Sequence, residues 1–315
     1  MKKLNIVFMG TPDFAVPSLE KLIENEAFNV SLVVTQPDKP AGRGRKLKSP
    51  PVKLVAEKYG IPVLQPERVK ENEKLFEKLK EIAPDFIVVA AYGKILPKEL
   101  LEIPKIAPVN VHASLLPKYR GASPIQSALL NGEDKTGVTI MRITEKLDSG
   151  DIYIQEETPI SIDDTAQTLH DRLAVMGGSL LVRALPLIAS GKLKPVPQND
   201  SEATYCAQIK KEDGKIDWRD TAENIFNKVR AFTPWPSAFT HFNGKLLKIT
   251  KTLPVEGQDK PGIVVDIDRE GFYVGTGEGL LKILMVKPEG KREMSAGDFV
   301  RGYRLKTGDN LGEER

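Results

Sequence analysis

The chain has 315 residues, with 46 Lys plus Arg against 43 Asp plus Glu, a formal net charge of +3, and 40% hydrophobic residues. That length allows two domains, each with its own core, and the hydrophobic content excludes a disordered chain; no unbroken apolar run approaches the roughly 18 residues of a membrane helix, and the start MKKLNIVFMGTPDF has no secretory leader pattern, so a cytoplasmic protein with no membrane association is expected. A single cysteine, Cys206, excludes an internal disulfide framework, and the three histidines His112, His170 and His241 show no clustered ligand spacing, so no metal is expected.

In chain order, short apolar runs alternate with amphipathic stretches through the first 160 residues: LNIVFMG (4–10), VSLVVTQ (30–36), PVLQ (62–65), FIVVAA (86–91), VNVHAS (109–114) and GVTIMRI (137–143). This is the pattern of strand-helix-strand units. The runs at 4–10 and 86–91 are almost continuously apolar, as strands covered by helices on both faces must be, so the first half reads as an α/β domain with a Rossmann-like, open, mostly parallel sheet. Asp163, Asp164 and Thr165 start a long helical segment that closes this half, and a catalytic domain over 1–190 is expected. Residues 191–206, GKLKPVPQNDSEATYC, are polar and aperiodic with two prolines, and read as a linker. Over 207–315 one helical stretch (221–232) precedes AFTHF, KLLKITKT, GIVVDID, GFYVGTG and LLKILMVKP, five short strands with glycine-containing turns that fit an OB-like β-barrel.

Ligands of open parallel sheets bind beyond the carboxyl ends of the strands. At one such end, Asn110 and His112 are two residues apart and share a strand face, which sets an amide beside an imidazole. A polar strand end that merely hydrogen-bonds its neighbours would look the same. The loop that follows, SLLPKYRGASPIQ, adds turn-fixing Pro117, Gly121 and Pro124, and a Ser114 able to meet a ligand. Asp148, in LDSGDI, either caps turn amides or, if its strand neighbours that of His112, holds the imidazole. An Asn, His and Asp set without a Ser or Cys nucleophile fits direct acyl transfer to an amine through a stabilised oxyanion.

Three further segments are informative. MGTPDFAV has neither the glycines of a dinucleotide loop nor the Gly-Lys-Ser/Thr of a P-loop, which argues against NAD and ATP. AAYGKILPKE offers a Tyr-Gly turn with apolar Ile95 and Leu96, either a core-closing loop or a wall for a flat heteroaromatic ligand. QPDKPAGRGRKLKSPP (36–51) carries Lys39, Arg43, Arg45, Lys46 and Lys48 against one acid, Asp38. A solvated loop is the ordinary reading of such a run; its length, its flanking prolines and its place at the sheet edge suit a phosphate backbone. Residues 282–306 hold seven basic against three acidic residues, so the small net charge averages two basic segments with an acidic remainder.

NVHASLLPKYRGASPIQ followed by TGVTIMRITEKLDSGDI resembles the signature of the 10-formyltetrahydrofolate-dependent formyltransferases. MGTPDFAVPSLEKL, TQPDKPAGRGRKLKSPPVK, AAYGKILPKEL and RAFTPWPSAF extend the likeness over essentially the whole chain, toward the branch that acts on aminoacylated initiator tRNA. The resemblance implies transfer of the formyl group of 10-formyltetrahydrofolate to the amino group of methionyl initiator tRNA for translation initiation. It implies Asn110, His112 and Asp148 as catalytic residues; Ser114, Leu115, Leu116 and Pro117 as folate contacts; and Tyr92, Gly93, Ile95 and Leu96 as the loop lining the pterin pocket. Arg43 falls at the arginine of the tRNA-reading loop, with Lys39, Arg45, Lys46 and Lys48 beside it. A monomer is expected. The competing readings are a small-metabolite formyltransferase or a 10-formyltetrahydrofolate hydrolase of the same fold, and a non-catalytic RNA-binding protein. The basic loop and the barrel weigh against the first two, and the intact trio against the third.

Overall fold

The computed structural model describes residues 2–41 and 46–312. By its internal contacts the chain falls into two compact units, the first made of Met1–Pro124, Thr136–Thr158 and His170–Cys206, the second of Ile125–Lys135, Pro159–Leu169 and Ala207–Arg315.

Unit 1 begins with β1 (Leu4–Gly10), α1 (Val16–Glu24) and β2 (Phe28–Val34), followed by a two-stranded ribbon, β3 (Lys39–Ala41) with β4 (Lys46–Lys48). Then come α2 (Pro51–Lys58), β5 (Val63–Leu64), α3 (Glu73–Ile82), β6 (Phe86–Ala90), the one-turn α4 (Lys98–Leu101), β7 (Ala107–His112) and the two-residue β8 (Arg120–Gly121). A helix α5 (Pro124–Leu130), which belongs to unit 2 from Ile125 on, precedes β9 (Lys135–Arg142) and β10 (Ile152–Pro159), and α6 (Ala166–Ala189), in unit 1 from His170 on, leads to β11 (Tyr205–Cys206). The main sheet runs β10-β9-β7-β6-β1-β2-β5. From β7 through β5 its pairings are parallel, and β9 joins β7 antiparallel. All five residues of β6 are buried, as expected of a central strand covered on both faces.

Helix α6 is long and apolar enough, by length and composition, to cross a membrane, although its sequence is broken by charges. Within unit 1 Leu173, Leu180, Leu181 and Leu185 on this helix are fully buried, so the apolar stretch builds a core. Its glycine explains the close fit: a Cβ on Gly177 would stand 2.7 Å from Val111 Cγ1, nearer than any side chain tolerates, so only glycine lets the helix rest on β7 at this point.

Residues 191–206, read from sequence as a linker, cluster with unit 1. Val196 bridges to Ile152, and β11 pairs in parallel with β8.

Unit 2 holds α7 (Ala222–Ala231) and an antiparallel sheet of β12 (Ala238–Phe242), β13 (Lys245–Val255), β14 (Val264–Ile267), β15 (Phe272–Gly275) and β16 (Leu280–Pro288) in the order β12-β13-β16-β15-β14. A short β17 (Met294–Ser295) adds to β16 and leads into α8 (Ala296–Tyr303). Register shifts at Lys251 in β13 and near Val264 in β14 let the strands curl around a core that includes Ile225, Leu247, Ile249, Phe272, Ile283 and Phe299. Five principal antiparallel strands agree with the OB-like expectation.

Candidate active site

β7 ends where its sequence turns from apolar to polar. Val109 and Val111 are buried, while Asn110 on the opposite face is half-buried, and no hydrogen bond to its side-chain amide is found among the described residues. His112, 6% exposed, follows on the same face.

The imidazole has two unlike neighbours. Nε2 lies 2.9 Å from the Tyr119 carbonyl oxygen, and Nδ1 lies 3.7 Å from Asp148 Oδ2. A carbonyl only accepts, so Nε2 must carry hydrogen and donate to Tyr119; in the neutral ring Nδ1 is then a bare lone pair. At 3.7 Å that nitrogen makes no hydrogen bond with Asp148, but the pair is within ion-pair range once Nδ1 gains a proton. The sequence-based expectation that Asp148 itself orients His112 therefore changes: the Tyr119 carbonyl orients the ring.

Asp148 is held in turn. Its Oδ2 accepts the Gly121 N–H at 2.9 Å, and its Oδ1 has no partner among the described residues. The residue has φ +45°, left-handed backbone that Asp tolerates better than most side chains. Gly121, φ +121°, allows the close approach behind this contact, since a Cβ there would stand 2.3 Å from the Cys206 carbonyl oxygen.

The segment after β7 is fixed by one hydroxyl. Thr139, fully buried on β9 and paired in register with His112, donates from Oγ1 to the Ser114 carbonyl at 2.6 Å and accepts from the Leu116 N–H at 3.2 Å and Gln155 Nε2 at 2.9 Å. All three hydrogen-bonding positions of that hydroxyl are used. Gln155 also donates to the Leu116 carbonyl at 2.8 Å. The Ser114 hydroxyl, expected to face a ligand, donates instead to the Lys118 carbonyl at 2.7 Å within the loop. Ser114 and Leu116 are buried, and Leu115 and Pro117 half-buried.

The loop after β6 divides its expected ligand contacts. Tyr92 and Leu96 belong to the apolar core with Met9, Val34 and Ile87, whereas Ile95 is 88% exposed. The Tyr92 hydroxyl is buried with no hydrogen-bond partner, and desolvation pushes it up to about 12. Its carbonyl is used twice, accepting from Thr11 Oγ1 at 3.1 Å and Gln36 Nε2 at 2.8 Å. Of these side chains, Ile95 alone is free to cover a ligand.

Of the five expected basic contacts, Arg43 and Arg45 lie outside the described residues, as does the Lys46 side chain. Lys39 and Lys48 are exposed and stand opposite each other across the ribbon. The ribbon is rooted by Asp38, which binds Lys53 Nζ at 2.9 Å, Gln65 Nε2 at 2.6 Å and Ser49 Oγ at 3.1 Å. The Gln65 and Lys53 donors hold this carboxylate below its ordinary range. No group of His, Cys, Asp and Glu suited to a metal occurs among the described residues.

Sequence reasoning passed over Tyr119, Thr139 and Gln155, and read Gly121 only as a turn residue. Tyr119 and Gly121 act through backbone atoms, which leave no compositional trace. Thr139 had a weak signal, as a polar residue within the expected strand 137–143, whereas Gln155 lies on β10, where no strand was expected.

An amide and an imidazole at the end of β7, with a carboxylate from the loop after β9, can support acyl transfer to an amine. The family profile described as formyl transferase matches residues 2–185, and that described as formyl transferase, C-terminal domain, matches residues 208–304. The chain belongs to the formyl transferase family. A methionyl-tRNA formyltransferase of Geobacillus sp. (strain WCH70) is 49% identical over 316 residues, covering 99% of each chain. One of Thermodesulfovibrio yellowstonii is 50% identical over 303 residues, covering 96% of this chain and 97% of that one. Among solved structures, WlaRD, a sugar 3N-formyl transferase in the presence of dTDP and 5-N-formyl-THF, shares the fold at a TM-score of 0.67 and 23% identity, covering 93% of this chain and 100% of that one.

Proposed function

We propose that this chain transfers the formyl group of 10-formyltetrahydrofolate to the α-amino group of methionine on initiator tRNA, giving formylmethionyl-tRNA and tetrahydrofolate. The observation that carries the reading is near-full-length identity of about half with methionyl-tRNA formyltransferases. The sugar-directed reading rests on a far lower identity and is not favoured.

The trio supplies a balanced transfer. The amine attacks the formyl carbon, and the carbonyl oxygen becomes an oxyanion that the unpartnered Asn110 NH2 receives. As the new C–N bond forms, Nδ1 of His112, left as a lone pair by the Tyr119 contact, takes the amine proton. The imidazolium so formed faces Asp148 at ion-pair distance. Collapse of the intermediate breaks the bond between the formyl carbon and folate N10, and the proton passes to that nitrogen. The free Oδ1 of Asp148 receives the substrate ammonium, which gives its first proton to solvent to become the attacking amine.

In this reading Ser114 to Pro117 contact the folate through apolar atoms, because the Ser114 hydroxyl and the backbone groups of Ser114 and Leu116 are already engaged, and exposed Ile95 covers the pterin. The basic ribbon with Arg43 guides the acceptor end of the tRNA. The enzyme works as a cytoplasmic monomer that needs neither metal nor membrane.

The test is incubation with 10-formyltetrahydrofolate and methionyl-tRNA, initiator and elongator in parallel, followed by detection of formylmethionine. Formylation confined to initiator tRNA is the expected result. Absence of formylmethionine, or formylation of an amino sugar instead, overturns the reading.

A further inference from the structure

Residues 198–206 hold the loop that sets both His112 and Asp148. The Tyr119 N–H donates to Thr204 Oγ1 at 2.8 Å, the Arg120 N–H to the Thr204 carbonyl at 2.9 Å, and the Ala122 N–H to the Cys206 carbonyl at 3.1 Å. The Thr204 N–H returns a bond to the Pro117 carbonyl at 3.3 Å. This short stretch thus fixes the peptide whose carbonyl accepts from His112 Nε2 and the peptide whose N–H donates to Asp148 Oδ2.

The side chains tie the same loop to Asp148 by a second route. Arg120 is 2% exposed; its Nε and Nη2 donate to Gln198 Oε1 at 3.0 and 2.8 Å, Nη2 also to Asp200 at 2.7 Å, and Nη1 to the Tyr205 hydroxyl at 3.2 Å. The Gln198 amide then donates from Nε2 to the carbonyls of Asp148 at 2.9 Å and Gly150 at 2.6 Å. A single amide therefore joins the loop behind the imidazole to the loop bearing the carboxylate. A guanidinium buried to this degree needs its acceptors, so Gln198 cannot leave without cost to Arg120.

We infer that residues 198–206 are a strap and that Gln198 and Arg120 are positioning residues that set the gap between His112 Nδ1 and Asp148 Oδ2. Neither needs to touch a substrate. Their effect reaches the reaction through the Tyr119 carbonyl, the Gly121 N–H and the backbone of Asp148. The inference rests on the proposed roles of His112 and Asp148.

The test uses the full-length chain with Gln198→Leu, which removes both halves of the bridge, and Gln198→Glu, which keeps the acceptor for Arg120 and loses the donor. Gln198 is only half-buried, so both variants should fold. For Gln198→Leu the expected result is a fall in kcat of about tenfold or more, with KM for tRNA and for folate within about twofold of the parent. Gln198→Glu should recover part of that rate. With only three histidines in the chain, nitrogen-15 labelled histidine resolves the His112 ring. The parent should show the Nε2–H tautomer, and Gln198→Leu a mixture. A kcat within twofold of the parent, a matching rise in KM, or an unchanged tautomer signal overturns the strap. If the parent transfers no formyl group, it is the functional reading that fails, and the strap is decided by the tautomer signal alone.

Discussion

His112 Nδ1 and Asp148 Oδ2 face each other across 3.7 Å, while Nε2 of the same ring is committed to the Tyr119 carbonyl. The carboxylate is thus placed to stabilise a charged ring more than to orient a neutral one. Asp148→Asn tests this cleanly, because Asn accepts the left-handed backbone at this position and can still receive the Gly121 N–H through its amide oxygen. It removes the charge that would face an imidazolium. The expected outcome in steady-state formylation is a kcat lower by roughly a hundredfold or more, with KM for folate little changed. Near-parental turnover would remove Asp148 from the reaction.

Asn110 offers an amide with no protein partner among the described residues. Removing one oxyanion donor typically costs about a hundredfold to a thousandfold in kcat, so Asn110→Ala should fall in that range. Asn110→Asp keeps the shape and sets a negative charge where the oxyanion develops. Its turnover should lie below that of the alanine variant, and an aspartate variant faster than alanine would place the oxyanion elsewhere.

The division into two folds was legible because burial follows the period of the sequence: β6 is apolar throughout and buried throughout, and the short strands from 238 onward alternate. The juxtaposition of His112 with Asp148 was legible as a condition on neighbouring strands, which the antiparallel pairing of β7 and β9 meets. Tyr92 and Leu96 were misleading. A Tyr-Gly turn beside apolar residues reads equally as a ligand wall or a core plug, and only burial separates the two. Residues 191–206 look like a linker because their prolines and polar side chains form no periodic pattern. Gln198 and Thr204 spend those polar groups on backbone atoms of unit 1, a use that composition does not reveal.

Lys39 and Lys48 stand opposite each other in the ribbon, where like charges repel unless an anion lies between or near them. A phosphate backbone would relieve that repulsion. Lys39→Ala and Lys48→Ala should each raise KM for tRNA and lower the slope of log affinity against log salt by somewhat less than one, while KM for folate stays put. Arg43→Ala should act in the same direction. Asp38→Asn should loosen the ribbon's root at Lys53 and Gln65 and raise KM for tRNA without changing the salt slope, because it removes no phosphate contact. A tRNA KM unchanged in all four variants, measured at fixed folate, would exclude the ribbon from tRNA binding.

Tyr92 carries a buried hydroxyl with no partner, which costs stability without evident return in the fold. Tyr92→Phe removes the unsatisfied group and leaves the ring in the core. At neutral pH the variant should be as stable as the parent or more stable, by up to about 1–2 kcal/mol in chemical denaturation. The alkaline limb gives the sharper test. Burial raises the hydroxyl in the folded chain to about 12, above its ordinary value of 10.0, so its contribution to stability is fully present below pH 10 and is lost as pH rises toward 12. Over that window the parent should lose on the order of 2–3 kcal/mol relative to Tyr92→Phe. Other tyrosines and lysines titrate in both proteins and cancel in the difference. Parallel stability curves for the two proteins between pH 10 and 12 would show that Tyr92 ionises as readily folded as unfolded, and that its hydroxyl is not desolvated.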